Sequence, residues 1–248
     1  MDRLIWTAIS GMTDSMTRQR VIASNMANAQ TTGFRAEVLW SQPVTLKGPQ
    51  LEARAMSEGS VRGANMRAGS IVQTGRALDV AMGGDSLLSL QAEDGSEAYT
   101  RRGDLSISPT GVLQNGDGRP VIGTGGPITL PLGAKASIGP DGAVLLADPE
   151  APDAPPQQVD RLKLVSPAGS RIEKGLDGLF RVAGGPNAAL PGDEDARVIP
   201  ASLEQSNVEP GEVLVEMISA QRLFDIRTKL VATAREIDER GASLMKLS

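Results

Sequence analysis

The two segments of this chain that carry long apolar stripes lie at its opposite ends, separated by a body rich in glycine and proline. Residues 1–28 and 210–248 show the three- and four-residue spacing of amphipathic helices. Residues 67–200 are divided by Gly and Pro into short strands and turns. An amphipathic helix without a local partner must bury its apolar face on a distant segment or on another molecule. This arrangement favours an assembling structural protein over a catalyst.

The composition argues against several classes of function. The 248 residues include neither cysteine nor histidine, so thiol chemistry, disulfides and the commonest general base and metal ligand are excluded. The net charge is −5, and no cluster of Lys and Arg interleaved with aromatic residues suggests a nucleic-acid surface. We expect no catalytic residue, no cofactor, no metal site and no nucleic-acid partner. An enzyme that relies on Lys or carboxylates has no motif to support it.

The chain shows no sign of membrane insertion. It contains no uninterrupted apolar run of about 18 residues, which a membrane-spanning helix needs. The opening residues, MDRLIWTAISGM, lack a cationic region followed by an apolar core, so we expect no cleavable secretory signal. Export of such a protein needs another route.

The first helix is predicted to end in a turn. In Ser24–Phe34 the Asn and Thr side chains compete for backbone hydrogen bonds, and Gly33 can adopt a positive φ. The amides of Asn25 and Asn28 either belong to an ordinary helix-ending loop or bond neighbouring backbone at this corner. The apolar seam expected on this helix consists of Ile5, Ile9, Met12, Met16 and Ile22.

The last segment is predicted to be one long helix with two adjoining apolar seams, which let it touch two neighbours. Ser206–Glu209 fits a capping box before this helix. The first seam contains Val213, Met217, Ala220 and Phe224, and the second contains Leu223, Ile226, Leu230, Ile237 and Leu244.

These patterns predict an α+β chain in four regions. Long N- and C-terminal α-helices are expected to pair as a coiled-coil-like assembly domain, with an antiparallel β-rich body inserted between them. Evenly spaced strands and the hairpin dipeptides Asn115-Gly116 and Asp141-Gly142 favour a sandwich or barrel for the body. The regions are an N-terminal assembly helix and turn (1–35), an extended connector (36–66), the body (67–205) and a C-terminal assembly helix (206–248).

Four short stretches of the chain carry recognisable motifs: Ser24–Arg35, Leu78–Asp85, Tyr99–Leu105 and Leu203–Val208. Taken in this order, they resemble the flagellar rod, hook and filament family of axial proteins. The corresponding family motifs are a helix-to-turn SNNLANA-TTGF, a strand LDVAI-G-GFF, a stretch YTR-G-F and an LE-SNV before the last helix. Two departures stand out: Leu87-Leu88 replaces a usual aromatic pair, and Asp104-Leu105 replaces a step that carries Phe.

The resemblance implies a structural subunit of the bacterial flagellar basal body, in the proximal rod that crosses the periplasm. It implies export by the flagellar type III apparatus, and partners that are further copies of the chain and other proximal and distal rod subunits. The terminal helices would be poorly ordered in the free subunit and pack in the rod, which acts as a torque-transmitting drive shaft. Two alternatives stay open: a distal rod or hook subunit, and a secreted β-domain that binds carbohydrate or protein, with the helices as an oligomerisation stalk.

The expected assembly interface combines both helices with the segments that flank them. Each buried Leu, Ile or Phe contributes roughly 1.5–3 kcal/mol, so the seams could drive association. Beside the seam residues named above, the interface is expected to include Asn25, Asn28, Thr31, Gly33, Phe34, Ser206 and Asn207.

Overall fold

The computed structural model describes residues 2–45, 55–133, 135–147, 155–175, 177–185 and 188–245. Within these ranges the chain forms two helices, α1 (Asp2–Ala27) and α2 (Pro210–Met245), with eighteen short strands between them. The strands are β1 (Glu37–Thr45), β2 (Ala55–Ala64), β3 (Ile71–Gln73), β4 (Val80–Met82), β5 (Leu87–Gln91), β6 (Glu97–Thr100), β7 (Ser106–Ile107), β8 (Leu113–Gln114), β9 (Ile122–Gly123), β10 (Gly126–Pro127), β11 (Lys135–Ile138), β12 (Ala143–Ala147), β13 (Gln157–Arg161), β14 (Leu164–Val165), β15 (Ile172–Lys174), β16 (Phe180–Val182), β17 (Val198–Pro200) and β18 (Ser202–Glu204).

The chain divides into two compact units. The first, called the helical unit, consists of Met1–Ala27, Glu37–Gly63 and Glu209–Ser248. It contains α1, α2 and a two-stranded sheet of β1 and β2, which occupies much of the segment predicted as an extended connector. Neither described helix is long and apolar enough to cross a lipid bilayer.

The predicted coiled-coil-like pairing of two long helices is wrong. The N-terminal helix is short, with 26 residues against 36 in α2. Where the helices meet, the guanidinium of Arg227 donates to the carbonyl of Gly11 and the hydroxyl of Ser15. A coiled coil needs an apolar knob at such a position. The two predicted seams of α2 also differ in burial, because Val213 is buried while Leu230 is exposed.

The second unit, called the body, consists of Asn28–Ala36 and Ala64–Val208. Its largest sheet has five strands in the order β14-β5-β6-β16-β15, and a three-stranded sheet has the order β11-β12-β13. Four two-stranded ladders complete the described pairings: β3 with β18, β4 with β17, β7 with β8, and β9 with β10. Every pair with a described register is antiparallel.

The two predicted hairpin dipeptides lie in turns of the same length. In one turn, between the paired strands β11 and β12, the N–H of Gly139 donates to the carbonyl of Ala143 at 2.8 Å, and Gly142 of the dipeptide has φ 80°. In the other, the N–H of Asn115 donates to the carbonyl of Arg119 at 3.0 Å. There Gly118, and not Gly116 of the dipeptide, has the positive φ of 78°.

Both faces of the five-stranded sheet are buried at β5, where successive side chains point to opposite faces. In β5, Leu88 lies in the larger apolar core and Leu87 in a smaller one that includes Tyr99. The phenol of Tyr99 accepts the N–H of Leu190 at 2.6 Å. The leucine pair that replaces the usual aromatic residues therefore fills one core with each side chain.

Candidate assembly site

The turn that follows α1 is built into the body. Gly33 is buried and has φ 68°, as the sequence predicted, and its N–H donates to the carbonyl of Glu204 at 2.7 Å. A Cβ at position 33 would overlap the peptide that joins Arg101 to Arg102. Glycine is required here for both its backbone conformation and its lack of a side chain.

Behind this turn, the carboxylate of Glu204 lies between two buried guanidinium groups. Its Oε1 is 2.7 Å from Nη2 of Arg35, and its Oε2 is 2.6 Å from Nη2 of Arg101. The three side chains are at most 2% exposed. Nε and Nη1 of Arg35 are buried and have no hydrogen-bond partner among the described residues. Two cations thus share one anion, which makes the carboxylate indispensable to this cluster.

Arg101 fastens the cluster to the central strands of the body. Its Nη1 donates to the carbonyls of Gly84 at 2.9 Å and Ser86 at 2.5 Å, and its Nη2 donates to that of Met82 at 3.0 Å. Burial lowers the pKa of Arg101 below its usual value, while the charge of Glu204 opposes that shift. A guanidinium keeps its charge in folded proteins, so these partners surround a buried cation.

Phe34 is covered by a cation from the body. Nζ of Lys174 lies 3.6 Å from the centroid of the Phe34 ring and donates to the carbonyl of Arg35 at 2.9 Å. An ammonium group over an aromatic face is attracted by the ring quadrupole. This contact holds the end of the turn against β15.

Asn207 also bonds inside the body and does not cap α2. Its Oδ1 accepts the N–H of Ala36 at 2.8 Å, and its Nδ2 donates to the carbonyls of Asn65 and Arg67 at 2.7 and 2.8 Å. The predicted capping box is wrong, because the hydroxyl of Ser206 accepts the N–H of the second residue after it at 3.2 Å and not that of the third.

In the helical unit, Asn25 makes the backbone bonds that the sequence suggested. Its Nδ2 donates to the carbonyl of Glu37 at 3.0 Å, and its Oδ1 accepts the N–H of the same residue at 2.7 Å. The buried amide therefore joins α1 to the start of β1. In the turn, Oδ1 of Asn28 instead accepts the hydroxyl of Thr31 at 3.1 Å.

One face of α2 is apolar and uncovered. Because successive helix residues are about 100° apart, this face lies roughly opposite the stripe that contains buried Val213 and Ala220. Its residues follow one another at helical spacing over about 33 Å. The exposed face consists of Val215, Ile218, Ile226, Leu230 and Ile237, which are between 56% and 65% exposed.

The structure separates the expected interface residues by exposure. Those that are buried are held inside the subunit, whereas the exposed ones can be reached by a neighbour. The buried residues are Ile22, Asn25, Gly33 and Val213. The half-buried residues are Met12, Asn28, Thr31, Phe34, Ser206, Asn207, Met217, Leu223 and Phe224. The exposed residues are Ile9, Met16, Ile226, Leu230 and Ile237. The burial of Ile5 and Leu244 is outside the described part of the chain.

Sequence reasoning missed Arg35, Arg101 and Glu204 as a cluster. Each of the three residues lies in a motif named in the sequence analysis, but no contact or role was predicted for it. A signal was present in the opposite charges of Arg101, in the motif Tyr99–Leu105, and Glu204, in the motif Leu203–Val208. Charged residues in buried strands need partners.

Comparison with known proteins places these motifs in one family. The chain matches the model "Flagella basal body rod protein" over residues 5–35 and "Flagellar hook protein FlgE/F/G D1 domain" over residues 81–146. It also matches "Flagellar basal body rod FlgEFG protein C-terminal" over residues 200–244. It is 38% identical to the flagellar basal-body rod protein FlgF of Salmonella typhimurium and to that of Escherichia coli, with the whole of each chain covered. Identity to the rod protein FlgG of Bacillus subtilis is 32%, over 96% of this chain and 97% of that protein.

The chain belongs to the flagellar basal-body rod protein family. It is therefore a structural rod subunit of the bacterial flagellum and is located in the basal body, where rod proteins assemble with one another. One of the three matched regions contains most of α1 and the turn after it, and another contains β18 and most of α2. The buried Arg35 and Glu204 lie in those two regions, and Arg101 lies in the third.

Proposed function

We propose that this rod subunit is part of the proximal rod and polymerises through the uncovered apolar faces of its terminal helices. The observation that carries the proposal is the exposed face of α2. On α1, Ile9 and Met16 are also exposed, by 43% and 57%. Large apolar side chains aligned along one helix face are typical of an interaction surface.

The size of this face is sufficient for association. Complete burial of an aliphatic side chain is worth roughly 1.5–3 kcal/mol. Five side chains that are little more than half exposed would then contribute roughly 4–8 kcal/mol when a neighbour covers them. That gain must exceed the cost of ordering the helices and of losing translational freedom, so we infer that several neighbours act together.

We further propose that the subunit is non-enzymatic and leaves the cytoplasm through the flagellar type III export apparatus. It then crosses the periplasm as part of the rod. Its neighbours are further copies of itself and other proximal and distal rod subunits. Rigid contacts between packed helices then transmit torque along the rod. Support comes from the family and from the composition, which provides neither His nor Cys for common catalytic sites.

Leu230→Asp tests the proposal in motile cells. Leu230 is 57% exposed, so the substitution leaves the free subunit folded but places a charge in the apolar face. We expect secreted subunit that is not incorporated, few rods, and loss of motility. The matched control is Thr228→Asp, which adds the same charge to an exposed position about 200° away around the helix.

Normal rods with Leu230→Asp would overturn the proposed face. Equal loss of assembly in both variants would also contradict it, because a general effect of charge on α2 would then explain the result. Circular dichroism of the purified variants checks that both retain the helix and strand content of the wild type.

A further inference from the structure

The chain enters and leaves the body through three of its segments. These are residues 28–36, the segment that begins at Ala64, and the segment that ends at Val208. Each continues directly into residues of the helical unit. Every point at which the chain leaves the body therefore lies in one of three short stretches of backbone.

One side chain connects all three stretches. Asn207 belongs to the last, its Oδ1 binds Ala36 in the first, and its Nδ2 binds Asn65 and Arg67 in the second. Backbone bonds run alongside: the N–H of Asn207 donates to the carbonyl of Phe34 at 3.3 Å, and that of Asn65 to Ala36 at 2.8 Å. No one of the stretches can separate without breaking bonds that hold another.

Glu204 repeats this three-way connection one layer deeper. Its carbonyl accepts the N–H of Gly33 at 2.7 Å, and its Oε1 accepts that of Gly69 at 2.8 Å. Its Oε2 binds Arg101, which is bonded to the backbone beside β4 and β5. The outer layer around Asn207 is exposed or half-buried, whereas the inner layer around Glu204 is buried.

We propose that Asn207 makes these three stretches, called the junction clamp (residues 33–36, 65–70 and 204–207), open and close as one cooperative unit. Unfolding that starts in either terminal segment then stops at the clamp, and the sheet of the body stays intact. A pull on either chain end is likewise shared by all three stretches. The inference concerns the free subunit and does not depend on the polymerisation proposed above.

Native-state hydrogen exchange of the full-length subunit tests the clamp with Asn207→Asp. The carboxylate keeps the acceptor for Ala36 but loses both donors and faces two carbonyl oxygens. The matched control is Asn65→Asp, because Oδ1 of the Asn65 side chain accepts the N–H of Arg67 at 3.0 Å and its amide nitrogen donates to no other described residue. The control adds the same charge nearby and keeps that acceptor.

In Asn207→Asp, we expect exchange in residues 33–36, 65–70 and 204–207 to accelerate together, by on the order of tenfold to a hundredfold. Exchange in residues 87–100 of the central sheet should not change, and Asn65→Asp should leave residues 33–36 and 204–207 at wild-type rates. Acceleration in only one stretch, or in none, would overturn the cooperative clamp. Equal acceleration in the central sheet would also overturn it, because Asn207 would then stabilise the whole body.

Discussion

Glu204 holds Arg101 through a single carboxylate oxygen, Oε2, which lies 2.7 Å from Nε and 2.6 Å from Nη2. Both side chains are almost completely buried, and the other oxygen of the same carboxylate faces Arg35 at 2.7 Å. The turn after α1, the end of β6 and the strand that leads to α2 are therefore held by one anion. Its removal would leave two buried cations without a counterion.

Glu204→Gln should lower the free energy of unfolding by about 3–5 kcal/mol, the usual effect of removing one partner from a buried ion pair. Urea denaturation of the purified subunit measures the loss. Glu93→Gln is the control, because that carboxylate is 90% exposed and 3.7 Å from its nearest cation, and it should change stability by less than about 0.5 kcal/mol. Similar effects of the two substitutions would show that the buried cluster does not stabilise the body.

Tyr99 should make the body less stable in alkaline solution. Burial raises the pKa of its phenol above the usual value, and the N–H bond from Leu190 only partly opposes this. Because the folded pKa is the higher one, the stabilisation is fully present below the ordinary pKa of about 10. It is lost as pH rises through the folded pKa.

The single tyrosine of the chain makes this titration unambiguous. The phenolate absorbance of the folded subunit should rise at higher pH than that of the urea-unfolded chain. Tyr99→Phe should remove this contribution to the pH dependence of stability. Coincident titration curves for the folded and unfolded chain would contradict the prediction.

Ala201→Gly should stabilise the body. Ala201 has φ 52°, a left-handed conformation that is costly for a residue with a Cβ. Its carbonyl accepts the N–H groups of Thr74 at 2.8 Å and Gly75 at 3.1 Å, which hold the backbone in place. After the greater chain entropy of glycine is subtracted, we expect a gain of about 0.5–1 kcal/mol.

Thermal denaturation of Ala201→Gly and of a control, Ala77→Gly, measures this difference. Ala77 is exposed and is not among the non-glycine residues with positive φ, so its replacement should destabilise by about 0.5–1 kcal/mol. A loss of stability in both variants would show that the strain at Ala201 is negligible.

Local sequence patterns predicted the secondary structure of both chain ends well. The periodic apolar residues predicted α1 and α2, and Gly33 and Gly142 mark turns because each adopts a positive φ. These features depend on residues only a few positions apart, so the sequence alone contains the necessary information.

The relation between the helices could not be predicted in the same way. Periodicity showed that α2 has two apolar stripes, but both read as seams that a neighbour could cover. The structure buries Val213 and Ala220 of one stripe, and Arg227 of α2 bonds to Gly11 and Ser15 of α1. The spacing of apolar residues along one helix does not show whether a charged side chain on that helix will lie against hydrogen-bond acceptors among small residues of the other helix.

The amino-acid sequence by itself determined where the helices and many of the turns lie, and which family the motifs resemble, because these follow from short-range spacing and residue type. Only the tertiary structure decided that Arg101 and Glu204, 103 residues apart, form a buried pair, and that Asn207 bonds to two distant stretches of the body. Such partners are set by how distant strands come together, and buried charges and amides take whichever complementary groups that packing brings within reach.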